Sequence, residues 1–148
     1  MTNAGELHVV FKVADAEYAL RASDVLHMES YSGATRVPGT APYVAGIVQI
    51  RGRVVPVVDV RARFGLPAAS LTLDSRVVVA QAKDRTVGLL VDSAREVLRI
   101  PPEEFKAPPE VLSQDTKGFV KAVAQSQKRL VMLLDFAKVI GEVEANGQ

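Results

Sequence analysis

The apolar residues of this chain cluster in short runs and do not form stripes of helical spacing. The runs are HVVFKV (8–13), GIVQI (46–50), RVVPVVDV (53–60), RVVVAQA (76–82), TVGLLV (86–91), FVKAVAQ (119–125) and RLVMLLD (129–135). Each ends at a charged or glycine-containing turn such as ADAE, RGR, KDR or QSQKR, a pattern that predicts strands joined by hairpins. Several runs are apolar on both faces for three or four residues, as strands of small closed barrels or packed sheets are. Pro56 cannot donate a ladder hydrogen bond, so it belongs at an edge or a bulge. Short helices are predicted at Ala22–Met28, Arg61–Phe64 and Asp135–Ile140, the last with an acidic start and Gly141 at its end. PPEEFKAPPE (101–110) reads as a proline-rich link, and 142–148 as a frayed tail.

The chain also echoes itself. Tyr43–Gly65 lies without a gap on Phe119–Gly141 at an offset of 76, pairing Val44 with Val120, Gln49 with Gln125, Arg53 with Arg129 and Asp59 with Asp135. A second echo places Val9–Met28 on Val78–Val97 at an offset of 69, pairing Val10 with Val79 and Leu20 with Leu89. Constant spacing points to duplication rather than to chance alignment of valine runs. The expected fold is therefore mainly β: one pseudo-duplicated domain over 1–148, built of two small five-stranded barrels packed side by side. The first barrel would cover roughly 7–70 and the second roughly 71–141, with strand exchange between them left open. Barrels of about 70 residues have thin cores of their own, so the seam between them should be apolar.

Composition narrows the function. The 148 residues carry 18 Lys+Arg against 17 Asp+Glu, a net charge of +1, which argues against a nucleic-acid binder driven by bulk charge. Without cysteine there is no disulfide, thiol nucleophile or thiolate metal site. The longest apolar stretch, Leu130–Leu134, falls far short of the roughly 20 residues of a membrane span. The opening MTNAGELH has no basic and apolar signal regions. Membrane insertion and export are not expected, and a cytoplasmic protein is.

Candidate chemistry is sparse, and neither a catalytic residue nor a metal or cofactor is expected. His8 and His27 lack metal-ligand spacing, and His8 reads as a surface residue opening a strand. Ser23, Ser30 and Ser32 lie near His27 without a nucleophile-elbow motif. Asp59 and Asp135 each follow an apolar strand, where helix capping explains them more simply than acid–base work. Gly46, Gly52 and Gly65 do not spell a phosphate loop. Arg51, Arg53, Arg61 and Arg63 form the densest charge cluster. Arg53, Arg61 and Arg63 read as solvated strand ends and a helix face, whereas Arg51 sits where a carboxylate could hold it at the seam's lip. A small barrel binding nucleic acid, or another signalling protein, is the alternative function, although no aromatic ladder accompanies the arginines.

Two segments resemble a known family. PYVAGIVQIRGRVVPVVDVRARFGLP (42–67) is similar to the signature of CheW-type coupling proteins: an aromatic-led segment, GI, RG, a hydrophobic–Pro–hydrophobic strand and an Asp opening a helix. VGLLVDSAREVLRIPPEEFKAPPE (87–110) matches a second signature, with its glycine, its valine–aspartate pair and its proline-rich exit. The resemblance covers about residues 7 to 141. It implies two SH3-like barrels and a non-catalytic, free-standing adaptor at receptor arrays beneath the inner membrane. Such an adaptor joins the cytoplasmic hairpin tip of a chemoreceptor to the regulatory domain of a CheA-type histidine kinase.

The resemblance further implies a receptor groove between the barrels at Val25, His27, Arg51, Ala94 and Val97, and kinase contacts at Ala34 and Thr35. A ring-closing contact is implied at Val111. Three departures stand out. His27 occupies the place of a glutamate that pairs with the arginine matching Arg51, so Arg51 needs another partner, with Glu29 the candidate. Gln49 replaces a frequent asparagine. Lys121–Ala122 replaces a glycine-containing pair, which predicts an altered bulge.

Overall fold

The computed structural model describes residues 5–110 and 118–141. Strands β1 (Glu6–Val13), β2 (Ala16–Arg21), β3 (Val25–Ser30), β4 (Val44–Ile50) and β5 (Arg53–Asp59) lead into helix α1 (Val60–Arg63). Then come β6 (Arg76–Ala82), β7 (Arg85–Val91), β8 (Ser93–Ile100), β9 (Phe105–Lys106), β10 (Val120–Ser126), β11 (Arg129–Leu134) and helix α2 (Phe136–Ile140). They form two curled sheets, ordered β8-β1-β2-β11-β10-β9 and β3-β6-β7-β5-β4. The first is called barrel A below and the second barrel B. Two small β barrels are present as expected, and among the described residues the two-residue β9 adds a sixth strand to the edge of barrel A.

The barrels are not consecutive halves divided near residue 70. Hairpin β1–β2 joins the C-terminal strands, where β2 lies parallel to β11, and hairpin β6–β7 joins the N-terminal ones, where β7 lies parallel to β5. The exchanged hairpins open the two segments of the 69-residue echo, so each half donates its like hairpin to the other while β3 and β8, at the ends of those segments, stay with their own halves.

The register carries the duplication into geometry. The β4–β5 ladder shifts between Val44 and Gly46, and the β10–β11 ladder between Val120 and Ala122, 76 positions on. The bulge thus persists with Ala122 in the glycine's place, and the altered bulge expected at Lys121–Ala122 does not arise. Edge strands β3 and β8 also match: Met28 faces Val78 while Val97 faces Val9, and both ladders carry an irregularity in the same place, at Val25/His27 and at Val10/Phe11. Asp59 caps α1 by accepting from the Arg61 and Ala62 amides, and Asp135 caps α2 by accepting from Lys138 N. Pro56 sits in an interior strand, yet the ladder to β7 begins only at Val57, so the missing donor falls where no strand pairs on that side.

The helix expected at Ala22–Met28 is a single 3-10 turn, Ala22–Asp24, followed by β3. Pairing outweighs local propensity there, because β6 would otherwise present an open edge. Strands β2 and β8, mixed in polarity, are also absent from the apolar runs.

Three apolar clusters form among the described residues. One lies inside barrel A (Val10, Ala19, Leu98, Ile100, Ala124, Val131, Leu133) and one inside barrel B (Ile50, Val55, Val57, Val77, Val79). The largest is the seam, where Phe11, Leu20, Val58, Val78, Leu89, Phe119, Phe136 and Ile140 meet.

Two arginines fasten the seam, contrary to the solvated reading of Arg61 and Arg63. Arg63 lies over the Tyr43 ring at 4.1 Å and the Phe119 ring at 4.9 Å, and donates to Val139 O (2.8 Å) and Lys138 O (2.9 Å) at the end of α2. Arg61 grips Asp92 through Nε (3.0 Å) and Nη2 (2.7 Å), and Asp92 also accepts from Ala14 N at 2.8 Å. Arg53 stays exposed.

Candidate functional site

Residues directly opposite each other on neighbouring strands share a face of the sheet. On β3, Val25 faces Ala80 and Met28 faces Val78, both members of the seam cluster. On β8, Ala94 faces Phe11 and Val97 faces Val9, placing the pair on the corresponding face. Val25 and Ala94 pack half-buried against the seam core, while Met28 and Val97 remain 42% and 48% exposed. The two edge strands therefore present a pseudo-symmetric apolar stripe along the seam, one pair from each barrel. Met28 escaped the sequence reading, although the 69-residue shift from Met28 to Val97 was there to find it.

His27 and Arg51 belong elsewhere. His27 faces Val79 and Glu29 faces Val77, both inside barrel B, because the irregularity at Leu26 turns the strand over between Val25 and His27. Arg51, at φ +53° in the β4–β5 turn, donates from Nε to Glu29 Oε2 at 3.1 Å across the barrel's mouth. This is the replacement pair, shifted two residues along β3. Arg51, Glu29, Ala34 and Thr35 then line one open cleft of about 790 Å³, with Tyr31, Ile47, Gln49, Val54 and Val77. The positions assigned to receptor and kinase thus regroup: Val25, Ala94 and Val97 on the seam, Arg51 with Ala34 and Thr35 at the mouth of barrel B. Val111 lies outside the described residues.

The matching end of barrel A is closed. Phe105 sits on the core there, its ring 5.2 Å from that of His8, and Arg129 forms 3.0 Å ion pairs with Glu17 and Glu96. His8 is 2% exposed, a core residue and not the surface residue expected, and it holds the place that Val77 has in barrel B. Desolvation drives its imidazole pKa below the usual 6.5, against a smaller opposing effect of the hydrogen bond between Nδ1 and Glu6 O. At the seam, the Arg61 hydrogen bonds hold the Asp92 carboxyl below its ordinary value.

Among the described residues no three His, Asp or Glu side chains are grouped to hold a metal, and no helix is long and apolar enough to cross a membrane. The arginine cluster does not present a common basic face, since Arg61 and Arg63 spend their donors on the seam and Arg51 on Glu29.

Comparison with known proteins agrees with this geometry. The family model described as "CheW-like domain" matches residues 7–144. The chain is 34% identical to Chemotaxis protein CheW of Bacillus subtilis over 136 residues, covering 92% of this chain and 87% of that one. It is 32% identical to Chemotaxis protein CheW of Rhizobium meliloti over 144 residues, covering 97% and 93%. The crystal structure of the scaffolding protein TtCheW from Thermoanaerobacter tengcongensis superposes with a TM-score of 0.86 at 27% identity, over 97% of each chain. With both barrels, the seam and the signature segments all inside the matched span, the chain belongs to the CheW-like family.

Proposed function

We propose that this protein is a non-catalytic adaptor that couples the cytoplasmic hairpin tip of a chemoreceptor to the regulatory domain of a CheA-type histidine kinase at receptor arrays. The observation that carries the reading is the seam stripe. Val25, Met28, Ala94 and Val97 form a two-sided apolar surface of a kind that takes the apolar face of a helix. The receptor tip occupies that stripe, and the kinase contacts the mouth of barrel B at Ala34 and Thr35, with Val111 in a further ring-closing contact. Separate surfaces let one molecule hold both partners at once. Each contact is weak, of micromolar order or about −8 kcal/mol, and repetition across an array supplies avidity.

The test is size-exclusion co-elution at about 30 μM, near the dissociation constants assumed, with the kinase regulatory domain and with a receptor-tip fragment separately. Val97→Glu should abolish the receptor shift and leave the kinase shift intact, because a carboxylate cannot be desolvated in an apolar contact. If folded wild-type protein binds neither partner, the adaptor reading is wrong.

A further inference from the structure

The open mouth of barrel B is a space that barrel A fills with its own chain. In barrel A, β9 lies along β10, with Lys106 opposite Val123 and Phe105 opposite Ala124. Ile47 stands 76 positions before Val123, and its bridging partner is Thr35, through Thr35 N to Ile47 O at 2.9 Å and Ile47 N to Thr35 O at 2.8 Å. Thr35 therefore plays the part of Lys106, and Ala34 the part of Phe105. The pairing extends to the floor: the Phe105 ring meets His8, and 69 positions after His8 comes Val77, which lines the cleft beside Ala34.

Barrel A thus has an aromatic plug on an aromatic floor, and barrel B has a methyl group over a valine, with the half-buried Tyr31 packed against its core to one side. Ion pairing repeats the contrast. Glu96, Arg129 and Glu17 tie barrel A shut, while their counterparts are His27, Arg53 and Thr86, which form no ion pair among the described residues. Gly46 keeps the cleft's wall in place, since a Cβ there would collide with the Thr35 carbonyl as the loop crosses β4. The socket is preformed, and its other apolar walls are Tyr31, Ile47, Ile50 and Val54.

We infer that this socket receives one bulky apolar side chain, aromatic by preference, presented by the kinase regulatory domain over Ala34, beside the β4 edge that Thr35 already pairs. The identity of the partner rests on the adaptor reading; the socket rests only on the comparison of the two barrels. The residue that opens it is Ala34, and the ligand chemistry is written in the chain's own residues 103–108, EEFKAP.

The experiment uses that segment as the probe. The capped peptide EEFKAP is titrated into the isotope-labelled full chain while backbone amide signals are followed. The inference expects saturable shifts in the millimolar range at residues 31–35 and 47–51, and none from the same peptide with alanine for phenylalanine. Absence of shifts there, or equal shifts from both peptides, overturns the socket. Ala34→Phe, which supplies the plug from the chain itself, should suppress the peptide response and weaken binding of the kinase regulatory domain at least tenfold. Kinase binding unchanged in Ala34→Phe overturns the occupant while leaving the adaptor reading standing. Peptide binding at the socket, together with no kinase binding by wild-type protein, overturns both the occupant and the adaptor reading.

Discussion

Replacing Arg63 with alanine tests whether the seam is fastened as described. The guanidinium donates to two carbonyls at the end of α2, at 2.8 and 2.9 Å, and covers the rings of Tyr43 and Phe119. The bond to Val139 O is part-buried and is taken at about 1.5 kcal/mol, the low end for a charged donor, while the exposed bond to Lys138 O is taken at about 0.5. The Tyr43 contact adds about 0.7 kcal/mol and the more distant Phe119 contact about half that. The sum is roughly 3 kcal/mol, which for a chain of this size lowers Tm by about 6–12 °C. Thermal unfolding followed by circular dichroism reads the shift. Arg53→Ala is the control, since that exposed side chain makes no ion pair among the described residues and should stay within about 0.5 kcal/mol of wild type. Amide exchange should accelerate in α2 before it does in hairpin β6–β7, because the lost bonds end on α2. Equal Tm values for Arg63→Ala and Arg53→Ala would refute the reasoning.

Other consequences can be checked on the same footing. Arg51→Ala removes an exposed pair with Glu29 and should cost less than about 1 kcal/mol of folding free energy by urea denaturation, while weakening coupling in a kinase assay. His8 titrates lower in the folded chain than its usual 6.5, so the unfolded chain takes up the proton first; stability should fall as pH drops below about 6.5, and His8→Val should flatten that limb in urea melts at pH 5 to 7. Asp92 also titrates below its usual 3.8, so its contribution is present above that value and is lost as pH falls through the lower folded pKa. Asp92→Asn should cost about 1–2 kcal/mol at pH 7 and lose its penalty in acid.

Much of the fold was legible because the strands that build the cores are buried on both faces and read as continuous valine-rich runs. The capping role of Asp59 and Asp135 was also legible, since an acid directly after an apolar strand has few other uses. Strands β3 and β8 were not, because they pair on one side only and take their shape from a neighbour's open edge, and β2 was missed because only its Tyr18–Leu20 centre is apolar between polar neighbours. The hairpin exchange was invisible for the same reason that the echo was visible. Two like hairpins fit either barrel locally, and only long-range packing decides which they join.

The site was readable in part. The signature segments led to Arg51, and its carboxylate partner Glu29 followed from the missing charge at His27. What could not be read was the face each side chain takes, because one irregularity at Leu26 sends Val25 and His27 to opposite sides. The socket was hidden by a change in offset: Ala34 and Phe105 correspond at 71 positions, outside both gapless echoes.

Reconstitution of receptor control over the kinase tests the central claim most directly. Kinase autophosphorylation is measured with receptor-tip fragments, with and without this protein, and with Val97→Glu in its place. The adaptor reading predicts that receptor control appears only when the wild-type protein is added and disappears with Val97→Glu. Control that arises without the protein, or that survives Val97→Glu unchanged, would contradict it.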